Sequence, residues 1–185
     1  MKHARLLKGT AAAALLIGLA AVNPLQALAR DHHEQQAPAV TVKLVNARGE
    51  AIGSATLTQK HDAVMVRVEA SKLTPGEHGL HFHETGKCEI PGFTTAGAHF
   101  NPAARMHGFN NPKGFHNGDL PNLKADAGGN AKAEFETKVV TLKQGEPNSL
   151  LKTGGTALVI HDKADDYVTD PSGNSGDRIA CGVIQ

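Results

Sequence analysis

The sequence lacks a surplus of charge: 19 Lys and Arg stand against 18 Asp and Glu, a formal net charge of +1. Proteins that bind nucleic acid carry a basic patch to neutralise phosphates, so that class of partner is excluded. An apolar run of the roughly 20 residues needed to cross a bilayer is also missing. The one apolar stretch, Ala11 to Val22, is shorter and is broken by Asn23-Pro24. Beyond it no segment has the apolar spacing of an amphipathic helix, and no internal repeat is visible. Cysteine is scarce, with only Cys88 and Cys181.

The chain opens with the features of an export signal. Lys2, Arg5 and Lys8 precede the apolar run, and Ala27-Leu28-Ala29 supplies the small residues a signal peptidase accepts. Residues 1–29 are therefore read as a cleaved secretory signal peptide and Arg30 as the first mature residue. No Cys follows the cleavage site to take a lipid, so no membrane contact is expected after cleavage. Cleavage removes three basic and no acidic residues, which leaves 16 against 18 and a mature charge of −2. The remaining chain suits one domain. In an exported protein its two cysteines point to one disulfide, Cys88 to Cys181, with two buried free thiols as the alternative. Closing so long a loop contributes up to about 4 to 5 kcal/mol on the chain-entropy estimate.

Asp31-His32-His33-Glu34-Gln35-Gln36 is polar and runs to Pro38, so residues 30–39 are read as a flexible tail. His32 and His33 can collect metal weakly there, but neighbours on a mobile tail fix no geometry. From Val40 the pattern has period two. Val40, Val42 and Leu44 alternate with Thr41, Lys43 and Val45, and Ala47-Arg48-Gly49-Glu50 turns the chain into Ile52 to Gln59. Val64, Val66 and Val68 form the inward row of a third strand, and Ala131 to Leu142 and Thr156 to His161 read the same way. Short strands, twenty glycines and nine prolines point to an all-β sandwich or barrel.

Glu77 to Asp119 breaks this rhythm. It holds six histidines and one of the two cysteines, and reads as one strand followed by a long loop. A loop of that length inside a compact domain needs an organiser, and His, Cys and Asp are what a metal and a disulfide use. His81 and His83, two apart on a strand, share a face, while Phe82 points into the opposite layer. His99, His107, His116 and Asp119 follow, and three imidazoles with one carboxylate make the closed tetrahedral shell that structural zinc prefers. His161 ends the apolar strand Thr156 to Ile160. These seven candidate ligands exceed what one first-row ion needs, so two neighbouring metals sharing a ligand is the economical reading.

His81-Phe82-His83, Gly97-Ala98-His99-Phe100-Asn101-Pro102, His107-Gly108, His116-Asn117-Gly118-Asp119-Leu120, Val159-Ile160-His161-Asp162-Lys163-Ala164-Asp165-Asp166 and Gly176-Asp177-Arg178-Ile179-Ala180-Cys181-Gly182-Val183-Ile184 together resemble the copper/zinc superoxide dismutases, in particular their exported bacterial branch. The resemblance covers residues 40–185 and keeps order and spacing. It implies a Greek-key β-sandwich or flattened barrel of about eight antiparallel strands, with long metal-binding and electrostatic loops, in a periplasmic protein. It implies copper on His81, His83, His99 and His161, and zinc on His99, His107, His116 and Asp119, with His99 bridging. Asp165 resembles the carboxylate that fixes His81 and His107, His78 a supporting histidine that binds no metal, and Arg178 the guanidinium that docks substrate.

The implied reaction is dismutation of superoxide to dioxygen and hydrogen peroxide, with His99 and Arg178 taking part. Relatives occur as monomers and as dimers, so the resemblance leaves room for a homodimer. Two other functions compete with this one. A periplasmic copper or zinc carrier on the same fold would have no use for Arg178 as an anion dock. A zinc-only hydrolase would need an open coordination position and a general base. Asp177 departs from the pattern, since a carboxylate precedes the docking arginine; facing the site it would weaken anion attraction, facing outward it would do little. The loop Tyr167 to Ser175 resembles the short bacterial form of the charged loop of eukaryotic relatives, and Lys163 is a candidate steering charge.

Overall fold

The computed structural model describes residues 38–185. The expected signal peptide and residues 30–37 of the expected tail lie outside the described residues. Nine strands follow in order: β1 (Ala39–Asn46), β2 (Ala51–Gln59), β3 (Val64–Ala70), β4 (Gly76–His78), β5 (Leu80–His83), β6 (Leu123–Ala125), β7 (Ala131–Thr137), β8 (Thr156–His161) and β9 (Arg178–Ile184). Among the described residues the only helical element is a 3-10 turn at Thr94–Ala96. No helix there is long and apolar enough to cross a membrane.

All strand pairs are antiparallel, in the order β4-β6-β7-β3-β2-β1-β9-β8-β5. The two ends of that order, β4 and β5, are consecutive in the chain and meet at Gly79. The sheet is therefore nearly closed on itself, which leaves little free edge. This division at Gly79 makes nine strands where about eight are expected, and two short strands where one is expected at the start of the stretch from Glu77. Gly79 is spent on the connection: its N–H donates to Lys163 O at 2.7 Å, and its carbonyl accepts from His161 N at 2.9 Å.

Alternation places the core. In β3, Val64, Val66 and Val68 are fully buried, while Arg67 and Glu69 face solvent. The outer register pairs Arg67 with Glu134 at 2.7 Å and Glu69 with Lys132 at 2.8 Å. Such exposed pairs are worth at most about 1 kcal/mol and report register more than stability. Inside, Leu44, Leu57, Leu80, Phe82, Leu158, Ile160 and Ile184 join the main core; burying each contributes about 1.5 to 3 kcal/mol. β1 opens at Ala39, the last residue of the expected tail. The strand expected over Ala131 to Leu142 stops at Thr137, because Gln59 Oε1 takes Thr141 Oγ1 at 2.9 Å and Leu142 N at 2.7 Å. A side chain there replaces the ladder.

β8 is buried along its whole length. Leu158 and Ile160 face the main core, and Ala157 and Val159 face a second, smaller cluster with Phe93, Ala96 and Cys181. That second cluster exists because the loop from Glu84 to Asn122 folds back over β5 and β8. Phe82 N donates to Gly118 O, Phe100 N to Phe82 O and Gly118 N to Phe100 O, at 2.8, 2.8 and 2.7 Å. A Cβ on Gly118 would collide with Phe82 O, so only glycine allows this approach.

Cys88 and Cys181 form a disulfide across 93 residues, which pins the loop to β9. The Cys88→Ser/Cys181→Ser variant is expected to lose about 2 to 5 kcal/mol of stability in urea denaturation. An unchanged midpoint would mean that the loop is held without the bridge.

Candidate metal centre

The face of β5 opposite the main core carries His81 and His83, paired in register with Val159 and Ala157 of β8. Phe82, between them, lies in the main core as alternation requires. The covering loop delivers the remaining side chains through two isolated bridges, His83 to His99 and His81 to Asp119. His161 closes the group at the end of β8. His81, His83, His99 and His161 can bring ligand atoms within 4.8 Å of one another, and so can His99, His107, His116 and Asp119. His99 belongs to both sets.

The nitrogen atoms divide cleanly. In the first set His81 Nδ1, His83 Nε2, His99 Nε2 and His161 Nε2 are buried without a hydrogen-bond partner. The opposite nitrogens of three of these rings are tied back, His83 Nδ1 to Gly97 O at 2.9 Å, His161 Nδ1 to Gly176 O at 3.2 Å and His81 Nε2 to Asp165 Oδ2 at 2.8 Å. Buried polar atoms normally find partners, and four orphaned imidazole nitrogens converging on one space are what a metal ion would satisfy. In the second set Nδ1 of His99, His107 and His116 lies 3.2, 3.1 and 3.4 Å from Asp119 Oδ1. Asp119 Oδ2 is used elsewhere, accepting Gly108 N at 2.9 Å and His116 N at 3.0 Å. The donor sets fit their expected groups: imidazole alone suits copper, and three imidazoles with a carboxylate suit zinc.

Asp165 joins the sets. Its Oδ2 accepts from His81 Nε2, and its Oδ1 from His107 Nε2 at 3.0 Å. Gly173 covers it so closely that a Cβ there would strike Asp165 Oδ1. His78 stays outside both sets, with its Nδ1 2.7 Å from His161 O and its Nε2 2.9 Å from Thr74 O. Arg178 donates through Nη1 to Phe93 O at 2.8 Å and through Nη2 to Gly97 O at 2.7 Å. Gly97 O is also the partner of His83 Nδ1, so the guanidinium is anchored beside the first set. Asp177, by contrast, is exposed and makes no ion pair with Arg178. The two residues share a surface cavity of about 680 Å³ with Arg48 and Lys72, and no histidine lines it. Asp177 is exposed there, whereas Arg178 is half-buried.

Burial sets the charge states. It pushes His81 down to about 3 against the hydrogen bond to Asp165, and His161 down to about 4. His83 is also held well below its ordinary value, first by burial and then by the charges of His99 and Arg178. His107 differs: burial opposes its charge, but the contacts to Asp119 and Asp165 raise it to about 9. Burial likewise works against the charge of Asp119, yet His107, His116 and His99 hold its carboxyl well below the usual carboxylate range.

The sequence compares closely with one family. A profile described as copper/zinc superoxide dismutase matches residues 51–184. The protein named copper/zinc superoxide dismutase 1 of Aquifex aeolicus is 51% identical over 143 residues, which cover 77% of this chain and 85% of that one. The chain belongs to the copper/zinc superoxide dismutase family. Among solved structures, a superoxide dismutase-like protein of Bacillus subtilis is 43% identical, with a TM-score of 0.76 over 78% of this chain and 97% of that one. The copper/zinc superoxide dismutase of Brucella abortus is 29% identical, with a TM-score of 0.65 over 80% of this chain and all of that one.

The seven expected ligands and Asp165 fall in the candidate metal-binding groups, His78 and Arg178 adjoin them through His161 O and Gly97 O, and Cys88 and Cys181 form the disulfide away from them. The residues that the sequence reading missed hold the two sets from behind. Asp170 Oδ1 accepts from His107 N at 2.7 Å, and Asn122 and Tyr167 both hold Asp165. Only the proximity of Asp170 and Tyr167 to Asp165 in sequence could have hinted at them.

Removing metal from this family member exposes the histidine shifts to measurement. An unfolded histidine titrates near 6.5, whereas folded His81 and His161 titrate near 3 and 4. The unfolded chain then binds protons first, so their contribution is present above about 6.5 and is lost as pH falls toward 3. The contribution of His107 runs the other way, complete below 6.5 and lost as pH rises through about 9. The urea midpoint of the metal-free protein is therefore expected to drop between pH 7 and pH 5. A midpoint that rises over that range contradicts the assignment.

Proposed function

We propose that this protein dismutates superoxide in the periplasm, after cleavage of residues 1–29. In this reading residues 30–39 are a tail and 40–185 the catalytic domain. His81, His83, His99 and His161 hold copper, and His99, His107, His116 and Asp119 hold zinc. A copper ion supplies one-electron chemistry, through which one superoxide leaves as dioxygen and a second, with two protons, leaves as hydrogen peroxide.

The residues have separate tasks. His99 presents Nε2 to one set and Nδ1 to the other. Its ring can therefore take up a proton at Nε2 and return it to the product while Nδ1 stays fixed. Asp165 fixes the tautomers of His81 and His107 from behind. His78 braces the carbonyl of His161. Arg178 stays cationic at working pH and is held rigid by Phe93 O and Gly97 O, so it can dock a small anion and pass over neutral dioxygen.

The observation that carries this reading is the set of four buried, partnerless imidazole nitrogens beside an anchored guanidinium. A carrier would need the first but not the second. Superoxide disappearance should be measured on the mature protein loaded with copper and zinc. His161→Ala is expected to abolish activity and Arg178→Ala to lower it about 10-fold or more, the worth of a charged hydrogen bond. A folded wild type that binds both metals and has no activity would favour the carrier. Asp177→Asn, at an exposed residue, is expected to change the rate less than about twofold, as a solvated charge should. A larger gain at low ionic strength would mean that Asp177 reaches the substrate's path.

A further inference from the structure

Tyr167 has a backbone conformation that its side chain disfavours. Its φ is 60°, in the left-handed region where a bulky residue is an outlier. Such conformations persist only where surrounding contacts over-determine them, and they gather at functional sites. Here the contacts come from three directions. Tyr167 N donates to Asp165 Oδ1 at 2.7 Å, and Tyr167 O accepts from Asn110 N at 2.9 Å. The phenol oxygen accepts from Asn122 N at 2.7 Å, and the ring packs on Phe109 with centroids 5.5 Å apart. Gly108 lies directly under the Tyr167 carbonyl, where a Cβ would collide.

Asn122 closes the circuit. Its Oδ1 accepts from Asp165 N at 2.8 Å, and its Nδ2 donates to Asp165 O at 2.9 Å. Both main-chain groups of Asp165 are thus held by one side chain, and the Tyr167 hydroxyl accepts the main-chain N–H of that same residue, Asn122. Asp165 is the one carboxylate that touches a histidine peculiar to each set, His81 and His107.

We propose that Tyr167 and Asn122 form a latch that positions Asp165, and through it sets how tightly the His107 side of the centre retains its ion. Both are positioning residues, since neither touches the ligand atoms of the two sets. The latch also ties the loop after β8 to the loop before β6 and to the segment around Gly108. These three pieces of chain share no strand pairing there. The inference rests on the reading of the two sets as metal sites.

The test uses the mature protein loaded with copper and zinc. Zinc release into excess chelator and the Cu(II) electron paramagnetic resonance spectrum are compared for wild type, Tyr167→Phe, Asn122→Ala and, as a control, Leu57→Ala in the barrel core. Asn122→Ala is expected to release zinc about 10-fold faster, the lower end for lost outer partners of metal ligands, and Tyr167→Phe about threefold faster. Both should alter the Cu(II) spectrum through His81. Leu57→Ala should lower thermal stability and change neither signal. Should Asn122→Ala fail to fold, Tyr167→Phe carries the test, because it keeps the ring and loses only the acceptor. Zinc release at the wild-type rate from the latch variants, or equally fast release from Leu57→Ala, would overturn the latch. A wild type that retains no zinc would instead overturn the reading of the sites.

Discussion

The structure depends on one costly act of burial, the removal of six imidazoles and two carboxylates from water on the outer face of β5 and β8. Unpaired, such groups would cost several kcal/mol each. The fold compensates most of them with protein partners: Asp119 Oδ2 takes two backbone N–H groups, Asp165 takes two rings and a backbone N–H, and carbonyls take His83 and His161. The atoms left without partners are almost all the ones that face the two candidate metal positions. Satisfaction behind the rings and deprivation in front of them is how a scaffold prepares ligands without using metal to build the whole site.

That arrangement explains why so long a loop can be ordered. Glu84 to Asn122 has no strand of its own, yet it is fastened at Phe93, Ala96 and Phe100 by burial, at Gly118 by backbone hydrogen bonds and at Cys88 by the disulfide. The barrel supplies His81, His83 and His161 on rigid strands, and the loop supplies His99, His107, His116 and Asp119. Arg178 lies where these parts meet. It opens β9, and its guanidinium bonds to the loop carbonyls of Phe93 and Gly97. A displacement of the loop would therefore move the second set and the Arg178 guanidinium together.

Much of this was legible in the sequence because it was written in residue types with narrow chemical uses. The H-x-H pair on an alternating strand placed His81 and His83 on one face, and Val64, Val66 and Val68 gave the inward row of β3. The family resemblance supplied the pairing of His99 with both sets and the place of Asp165. The reading failed where backbone and side chain exchange partners. The stretch Lys138 to Leu142 alternates like a strand but is claimed by Gln59, 82 residues away from Thr141. Gly79 divides a strand because its main-chain groups are engaged by His161, the last residue of β8, and by Lys163 just beyond it. Asn122 and Tyr167 carry no motif, since their role exists only when three loops meet.

The central claim is that two different ions share His99, copper against the four orphaned imidazole nitrogens and zinc against Asp119. Anomalous diffraction from crystals of the copper- and zinc-loaded protein, recorded at both absorption edges, tests it directly. The account predicts a copper peak within reach of His81 Nδ1, His83 Nε2, His99 Nε2 and His161 Nε2, and a separate zinc peak at Asp119 Oδ1 and the Nδ1 atoms of His99, His107 and His116. A single peak, or copper found only at the Asp119 position, would contradict it.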